Sequence, residues 1–234
     1  MKTAHAILGW SMLLMLFLHS SLASAQGSKG TKPGSTTSNN VNVSIDETSG
    51  TISIAGDSAS NQLYINVFNN QILISSGPWN QTTINGQSQN VSYWFYLDYD
   101  VAINVNLGGG NDRIWLNVSD DTNVYGVSAT ISGDDGADEI AVFSDTTSPF
   151  QLKGNLSILG GKGDDAISVL NTDIGGSLSI YAGDSNDNVE IRHSLISGST
   201  TFDGGRGRDT LTTQGYLPWY GAEITGFETM NELQ

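Results

Sequence analysis

The sequence contains no cysteine and only 3 histidines among its 234 residues. The lack of thiols excludes disulfides, cysteine nucleophiles and zinc–cysteine sites. His5 and His19 lie in the apolar N-terminal segment, so His193 is the one imidazole beyond it. The sequence also lacks the G-x-S-x-G, H-E-x-x-H and P-loop motifs. We therefore expect no enzyme and assign no catalytic residue.

Basic residues and proline are also scarce. Only 9 Lys and Arg stand against 24 Asp and Glu, which gives a net charge of −15, and there are 4 prolines. Nucleic acids and anionic lipid surfaces are bound by basic patches, so this balance disfavours both as partners. The acids are either spread over a solvated surface or concentrated where cations neutralise them.

The first 25 residues have the features of a secretory signal peptide. Lys2 supplies a positive charge, Ile7 to Leu18 form an apolar run, and Ala23-Ser24-Ala25 reads as a cleavage site. The alternative is a retained membrane anchor, for which the run is short. We predict cleavage after Ala25, a secreted extracellular protein, and no membrane span after cleavage.

Two segments follow the signal peptide. Residues 26–40 are rich in Gly, Ser and Thr, which predicts a flexible linker. Residues 41–100 alternate apolar and polar side chains, and Asn69-Asn70 and Asn85-Gly86 are turn signals, so a hairpin-rich β cap is expected. The aromatic stretch 93–99 has two interpretations: a sugar-stacking platform, or a cover for the open end of a following β structure.

From residue 101 onward, glycine and aspartate recur with a period. An aspartate follows a Gly-rich turn at intervals of 26, 27, 22 and 22 residues, at Asp112, Asp138, Asp165, Asp187 and Asp209. Apolar residues alternate with polar ones on both sides of each turn, which predicts two strands per repeat. Repeats of this length indicate a solenoid. We predict an all-β fold: a right-handed parallel β-solenoid, β-helix or β-roll-like, over 101–234, closed by a C-terminal cap strand at Ile224.

The turn motif is complete in two repeats. Residues 160–168 read GGKGDDAIS and residues 204–212 read GGRGRDTLT, and both match G-G-x-G-x-D-x-U-x. The remaining three turns are degenerate. This pattern resembles the RTX, or haemolysin-type, calcium-binding repeats of secreted bacterial proteins, over about residues 101–215. The chain departs from that family in having one motif turn per coil instead of two and in carrying an N-terminal signal.

The resemblance implies Ca²⁺ bound between stacked turns. The five recurring aspartates would be the carboxylate ligands. Main-chain carbonyls would come from the turns, and further acids lie nearby: Gly108, Gly110, Gly133, Asp134, Gly136, Gly160, Lys162, Gly163, Asp164, Asp184, Gly204, Arg206 and Gly207. An independent argument is that carboxylates stacked about 4.8 Å apart repel one another. We therefore expect metal binding coupled to folding, with a loosely folded metal-free protein.

These observations predict a secreted calcium-binding β-solenoid with a structural, cell-surface or matrix role. Extracellular polysaccharide and cell-surface components are the candidate partners besides calcium. Two alternatives remain. One is a carbohydrate-binding module that uses Trp79, Trp94 or Tyr96. The other is a polysaccharide lyase or epimerase whose basic residue comes from Arg113, Arg192, Arg206, Arg208 or Lys162.

Overall fold

A computed structural model describes residues 39–68, 71–76, 82–87, 92–96, 100–118, 126–144, 150–215 and 221–233. The predictions for the signal peptide, for residues 26–38 of the linker and for Trp79 lie outside these residues. The same holds for the side chains of Trp94 and Tyr96.

The described chain is all-β and contains no helix, so it holds no helix long and apolar enough to cross a membrane. The strands are β1 (Asn40–Asp46), β2 (Thr51–Ala55), β3 (Gln62–Phe68), β4 (Gln71–Ser76), β5 (Thr83–Ile84), β6 (Ser92–Tyr96), β7 (Val101–Asn106), β8 (Arg113–Val118), β9 (Val127–Asp135), β10 (Glu139–Phe143), β11 (Phe150–Leu152), β12 (Leu156–Lys162), β13 (Ala166–Leu170), β14 (Thr172–Ile174), β15 (Leu178–Asp184), β16 (Asn188–Arg192), β17 (Thr200–Arg206), β18 (Thr210–Gln214), β19 (Glu223–Thr225) and β20 (Thr229–Leu233).

Two large sheets form the solenoid. The first has the order β19-β17-β15-β12-β9-β7-β2-β1-β5, and the second has the order β20-β18-β16-β13-β10-β8-β3-β4-β6. Each coil contributes one strand to each sheet, and neighbouring coils pair in parallel from β2 and β3 to β19 and β20. A short sheet of β11 and β14 lies in the connections between consecutive coils, with β11 between β10 and β12 and β14 between β13 and β15 in sequence. The prediction of a parallel β-solenoid is confirmed.

The core lies between the two large sheets and is built from in-register columns. Ile131, Ile158 and Ile180 pair across successive coils, and all three are buried. On the second sheet the matching column runs through Ile140 and Ile167. Because strand side chains alternate between faces, each strand buries every second residue. Stacked β-branched residues fill the interior, so each coil buries its apolar face against its neighbours.

Parallel stacking begins earlier than residue 101. β2 pairs with β7 and β3 with β8, both in parallel, so residues 51–68 form a coil of the solenoid. The predicted hairpins are also present: β3 pairs antiparallel with β4, although Asn69-Asn70 between them lie outside the described residues, and Ile84 and Gln87 pair antiparallel around Asn85-Gly86. β4 also pairs antiparallel with β6. β6 contains part of the aromatic stretch and is the outermost strand of its sheet at that end. This position is the one expected of a cap.

At the opposite end the stack finishes with β19 and β20. The predicted strand at Ile224 is present and pairs in parallel with β17. Met230 aligns with the buried Leu211 of the preceding coil, yet 54% of its surface is exposed. The core column is therefore uncovered at this end within the described residues.

Candidate metal centre: the aspartate ladder

The bend between the two strands of each coil lies in a six-residue segment, which we call the turn and whose residues we number 1 to 6; its first residues can still belong to the preceding strand. Position 6 is the recurring aspartate, and we call Asp112, Asp138, Asp165, Asp187 and Asp209 the ladder aspartates. Their side chains point into the solenoid and are 0–2% exposed. The strands before and after the turn are in register from coil to coil, so Asp165 lies between Asp138 and Asp187. The structure thus brings the five predicted carboxylates into one buried column.

One oxygen of each ladder carboxylate accepts a backbone hydrogen bond from the preceding coil. The Asp138 N–H donates to Asp165 Oδ1 at 2.8 Å, and the Asp165 N–H donates to Asp187 Oδ1 at 2.8 Å. The same bond joins Asp112 to Asp138 and Asp187 to Asp209. A buried N–H group at a bend needs a hydrogen-bond acceptor, because it lies outside the regular hydrogen bonds between strands. A carboxylate oxygen is a strong acceptor for such a group. The ladder aspartates therefore have a structural role in holding consecutive turns together.

The second oxygen of each ladder carboxylate has no hydrogen-bond partner within the described residues. This holds for Oδ2 of all five, and each of these atoms is buried. A buried charged oxygen without a partner is costly, so such a group is either neutralised by a proton or paired with a cation.

The electrostatics agree with that conclusion. Burial, with a smaller contribution from neighbouring acids, raises the pKa of Asp112 and of Asp165 to about 7, although the hydrogen bond that each carboxylate accepts lowers it. Burial likewise raises the pKa of Asp187 to about 6. The pKa values of Asp138 and Asp209 are also raised, first by burial. A cation beside the column would allow these groups to remain ionised.

Position 1 places a main-chain carbonyl beside the partnerless oxygen. Asp138 Oδ2 and Gly160 O both lie within 2.6 Å of the point where a Cβ on Gly133 would sit. Asp165 Oδ2 and Ala182 O have the same relation to Gly160. The two oxygens of each pair are therefore close enough to ligate one Ca²⁺, whose oxygen ligands lie 2.3–2.6 Å from the ion. Both donors are oxygen, as calcium prefers, and each pair would supply two of the six to eight oxygen ligands that this ion takes.

The other predicted carbonyls are placed differently. At position 3, Lys162 O accepts the Gly136 N–H at 2.8 Å, and Arg206 O accepts the Ser185 N–H at 2.7 Å. At position 4, a Cβ on Gly163 would collide with Gly136 O of the preceding coil, and the backbone has φ of 114°. Position 4 is also occupied by Gly110, Gly136 and Gly207. In each case a Cβ would collide with the main chain of the preceding coil, so the close stacking of the coils accounts for glycine at this position. Gly108 stands at position 2, and its carbonyl oxygen accepts a hydrogen bond from the Asp135 N–H. Gly204, the remaining predicted residue, stands at position 1 of the last turn.

The additional acids of the turns lie on the outer rim, away from the ladder. Asp134 accepts hydrogen bonds from Asn106 and Ser132, and Asp164 accepts them from Asn186. Asp184 lies 3.8 Å from the Arg206 guanidinium. Asp134 and Asp164 therefore have hydrogen-bond donors without metal, and Asp184 lies in a long ion pair at the exposed surface. Within the described residues, no three His, Cys, Asp or Glu side chains converge as a metal-binding group, so an ion here would depend on main-chain oxygens.

Two members of the ladder were not among the predicted residues. The Asn61 N–H donates to Asp112 Oδ1 at 2.6 Å, and the Asp209 N–H donates to Glu228 Oε2 at 2.7 Å. Asn61 has its side-chain amide bonded to Asn39, Asp57 and Ala59. The ladder thus begins with a neutral amide and ends on a longer carboxylate. The signal for Asn61 was its place seven residues after an apolar strand position, Ile54, as in the other turns.

The basic residues considered for a lyase are engaged elsewhere or exposed. Arg113 pairs with Glu139, Arg192 with Glu190, and Lys162 with Asp135. These pairs lie on the strand faces and on the outer rim of the turns. These three basic side chains are therefore held in ion pairs with neighbouring carboxylates.

Comparison with protein-family models, with curated proteins and with solved structures gives no match.

Proposed function

We propose that the protein is a secreted β-solenoid that binds Ca²⁺ along its aspartate ladder and serves a structural role at a cell surface or in an extracellular matrix. The observation that carries this proposal is the buried, partnerless Oδ2 of every ladder aspartate. Secretion is supported by the signal-peptide features of residues 1–25. The absence of cysteine adds to the argument, since an exported protein of this composition has no disulfide to stabilise it.

Calcium would supply positive charge to a column of acids that the fold holds in register. The ladder aspartates and the position 1 carbonyls would hold the ion, while the Oδ1 hydrogen bonds keep each carboxylate oriented. Extracellular modules bind calcium at about 10⁻⁴–10⁻³ M, a range that fits sites with few carboxylates per ion. Binding would favour the folded state because the unfolded chain has no preformed site.

The test is calcium titration by calorimetry on the protein lacking residues 1–25, with thermal unfolding in calcium and in chelator. We expect heat of binding and a higher midpoint in calcium. Asp165→Asn should weaken both effects, because it keeps the Oδ1 acceptor but replaces Oδ2 with a nitrogen. Asp173→Asn is the matched control, since Asp173 also accepts a backbone N–H from the next coil, that of Leu195, but lies outside the ladder. A protein that binds no calcium at millimolar concentration would refute the proposal.

A further inference from the structure

A groove runs along the outer rim of the turns and crosses all five that carry a ladder aspartate. Its volume is about 780 Å³, within the range of ligand-binding clefts. Position 2 of each turn forms the floor, which is Asp134 in one turn and glycine in the others, Gly108, Gly161, Gly183 and Gly205. Because coils stack about 4.8 Å apart, the groove is roughly 19 Å long. The ladder aspartates do not line it, so the groove is distinct from the candidate metal centre.

The floor carries almost no side chains because of how the coils stack. A Cβ on Gly161 would collide with Asp134 O, and a Cβ on Gly183 would collide with Gly161 O. Both glycines also have a positive φ, of 122° and 123°. The main chain of the floor is paired from coil to coil, with Gly161 opposite both Asp134 and Gly183. An added peptide strand would find its hydrogen-bond partners already used, so a ligand here would be held by the side chains at the borders.

The inner border of the groove is a row of outward-facing side chains on the first sheet, one residue before each turn. We call Asn106, Ser132, Leu159, Tyr181 and Asp203 the border row, and they pair in register from coil to coil. Hydrogen bonds show that this row adjoins the floor. The side chains of Asn106 and Ser132 each donate to an Asp134 carboxylate oxygen at 2.6 Å, and Asp203 Oδ1 accepts the Gly205 N–H at 3.1 Å.

The border row is apolar where the floor is bare. Leu159 and Tyr181 are neighbours in register beside Gly161 and Gly183, and their side chains are 38% and 45% exposed. A tyrosine ring offers a large, rigid contact area at low cost in conformational entropy. The next outward-facing row of the same sheet carries hydroxyl groups in register, on Thr130, Ser157, Ser179 and Thr201. Apolar surface beside hydroxyl groups is complementary to a sugar ring, which has a C–H face and a polar edge.

The outer wall of the groove has no excess of either charge. Position 3 alternates acid and base in register through Asp135, Lys162, Asp184 and Arg206. Lys162 Nζ lies 2.7 Å from Asp135 Oδ1, and the Arg206 guanidinium lies 3.8 Å from Asp184. These groups can exchange hydrogen bonds with hydroxyl groups of a ligand. Because the whole chain carries a net charge of −15, a polyanion would be repelled without a basic surface to hold it.

We propose that this groove binds a linear, neutral polysaccharide that lies along the solenoid axis. Its sugar rings stack on Tyr181 and Leu159, and its hydroxyl groups bond to the charged wall and to the hydroxyl row. The length of the groove accommodates several consecutive sugar units, which favours a polymer over a single monosaccharide. This inference goes beyond the proposed function and does not depend on calcium, because it uses none of the ladder carboxylates.

The test is affinity electrophoresis of the protein lacking residues 1–25 in native gels that contain laminarin, xyloglucan, galactomannan or dextran. Polygalacturonate serves as the anionic probe. We expect at least one neutral polymer to retard the protein and polygalacturonate to have no effect. Calorimetry with a hexasaccharide of the retarding polymer then gives the affinity. Tyr181→Ala should weaken binding about tenfold or more, and Leu159→Ala about threefold. Leu195→Ala is the matched control, since Leu195 is 41% exposed but lies in a connection between coils, away from the groove.

Each result either supports or overturns the inference. Lack of retardation by all four neutral polymers overturns it, and so does an unchanged affinity in Tyr181→Ala, because the ligand would then bind elsewhere. Equal retardation by polygalacturonate would overturn the preference for a neutral ligand. Circular dichroism and urea unfolding check that the three variants, which alter exposed side chains, remain folded. Repeating the electrophoresis in calcium and in chelator separates the two proposals: a protein that binds the glycan but no calcium refutes the proposed function alone, and a protein that binds calcium but no glycan refutes only this inference.

Discussion

Replacing Asp165 with asparagine should change stability in opposite directions with and without calcium. In the wild-type protein, the folded-state pKa of Asp165 is about 7, whereas the unfolded chain has a value near 3.9. At pH 8 without metal, keeping this carboxylate ionised and buried costs at most about 4 kcal/mol of folding free energy. Asparagine avoids that cost, and its Oδ1 can still accept the Asp138 N–H.

The variant should therefore be more stable than the wild type in chelator at pH 8. Water at the turn and local relaxation lower the cost, so we expect about 2–4 kcal/mol, which corresponds to roughly 5–15 °C in the unfolding midpoint for a chain of this size. In calcium at about 100 times the dissociation constant, an ion at this turn adds about 2.7 kcal/mol to the wild type. The variant lacks this gain, so its advantage should vanish or reverse.

The pH dependence gives an independent check. Because the folded-state pKa is raised, the stability from protonating Asp165 is fully present below about pH 4 and is lost as the pH rises through about 7. The advantage of Asp165→Asn in chelator should shrink by about 2–3 kcal/mol between pH 8 and pH 5. The assay is urea unfolding followed by circular dichroism at both pH values, with chelator and with calcium. A variant less stable than the wild type in chelator at pH 8 would refute the buried-charge argument.

Three further predictions concern the turns and the ends of the stack. Gly163→Ala should cost several kcal/mol, because its Cβ would collide with a carbonyl at φ of 114°, whereas Gly86→Ala, with open space at φ of 71°, should cost about 1–2 kcal/mol in the same urea unfolding. Phe202→Ala should cost about 3–5 kcal/mol, whereas Met230→Ala should cost under about 1 kcal/mol; equal losses would contradict an open C-terminal end. Glu228→Ala should lower stability by about 1 kcal/mol and speed exchange of the Asp209 amide hydrogen, measured by NMR, because that N–H loses its acceptor.

The repeated part of the fold could be predicted because its physics is local and periodic. Alternation of period 2 identifies strands, and the recurrence of Asp138, Asp165 and Asp187 fixes which strands are neighbours. The coil of β2 and β3 was not predicted, because its turn carries Asn61 without the G-x-G pattern. A hairpin and further residues also separate Asn61 from Asp112, so the interval is far from the period. Parallel pairing across such an insertion is set by tertiary packing.

The column of five carboxylates was predicted from the sequence, but the contacts of its individual oxygen atoms were not. The spacing identified the five carboxylates, and burial then divided their two oxygens between different roles. Glu228 was not predicted because its turn is shorter than the others and therefore breaks the spacing. Its side chain is longer than that of aspartate and still reaches the Asp209 N–H. The carbonyls of Lys162 and Arg206 were predicted ligands, but both accept backbone hydrogen bonds between coils. Which carbonyl faces a carboxylate depends on the path of the turn, which residue types do not specify.

The division between the two carboxylate oxygens bears on how calcium and folding are coupled. Because Oδ1 of each ladder aspartate already bonds the preceding coil, the turns are held in register without metal. The buried columns of the core likewise contain no metal-dependent contact. We therefore expect the metal-free protein to keep its strands, and calcium to act chiefly by compensating charge at Oδ2. This differs from the loosely folded state that the sequence suggested. Far-ultraviolet circular dichroism at 20 °C should then be nearly the same in calcium and in chelator at pH 6, while the unfolding midpoints differ. Loss of the β signal in chelator would show instead that the hydrogen bonds between the turns do not keep the protein folded without the ion.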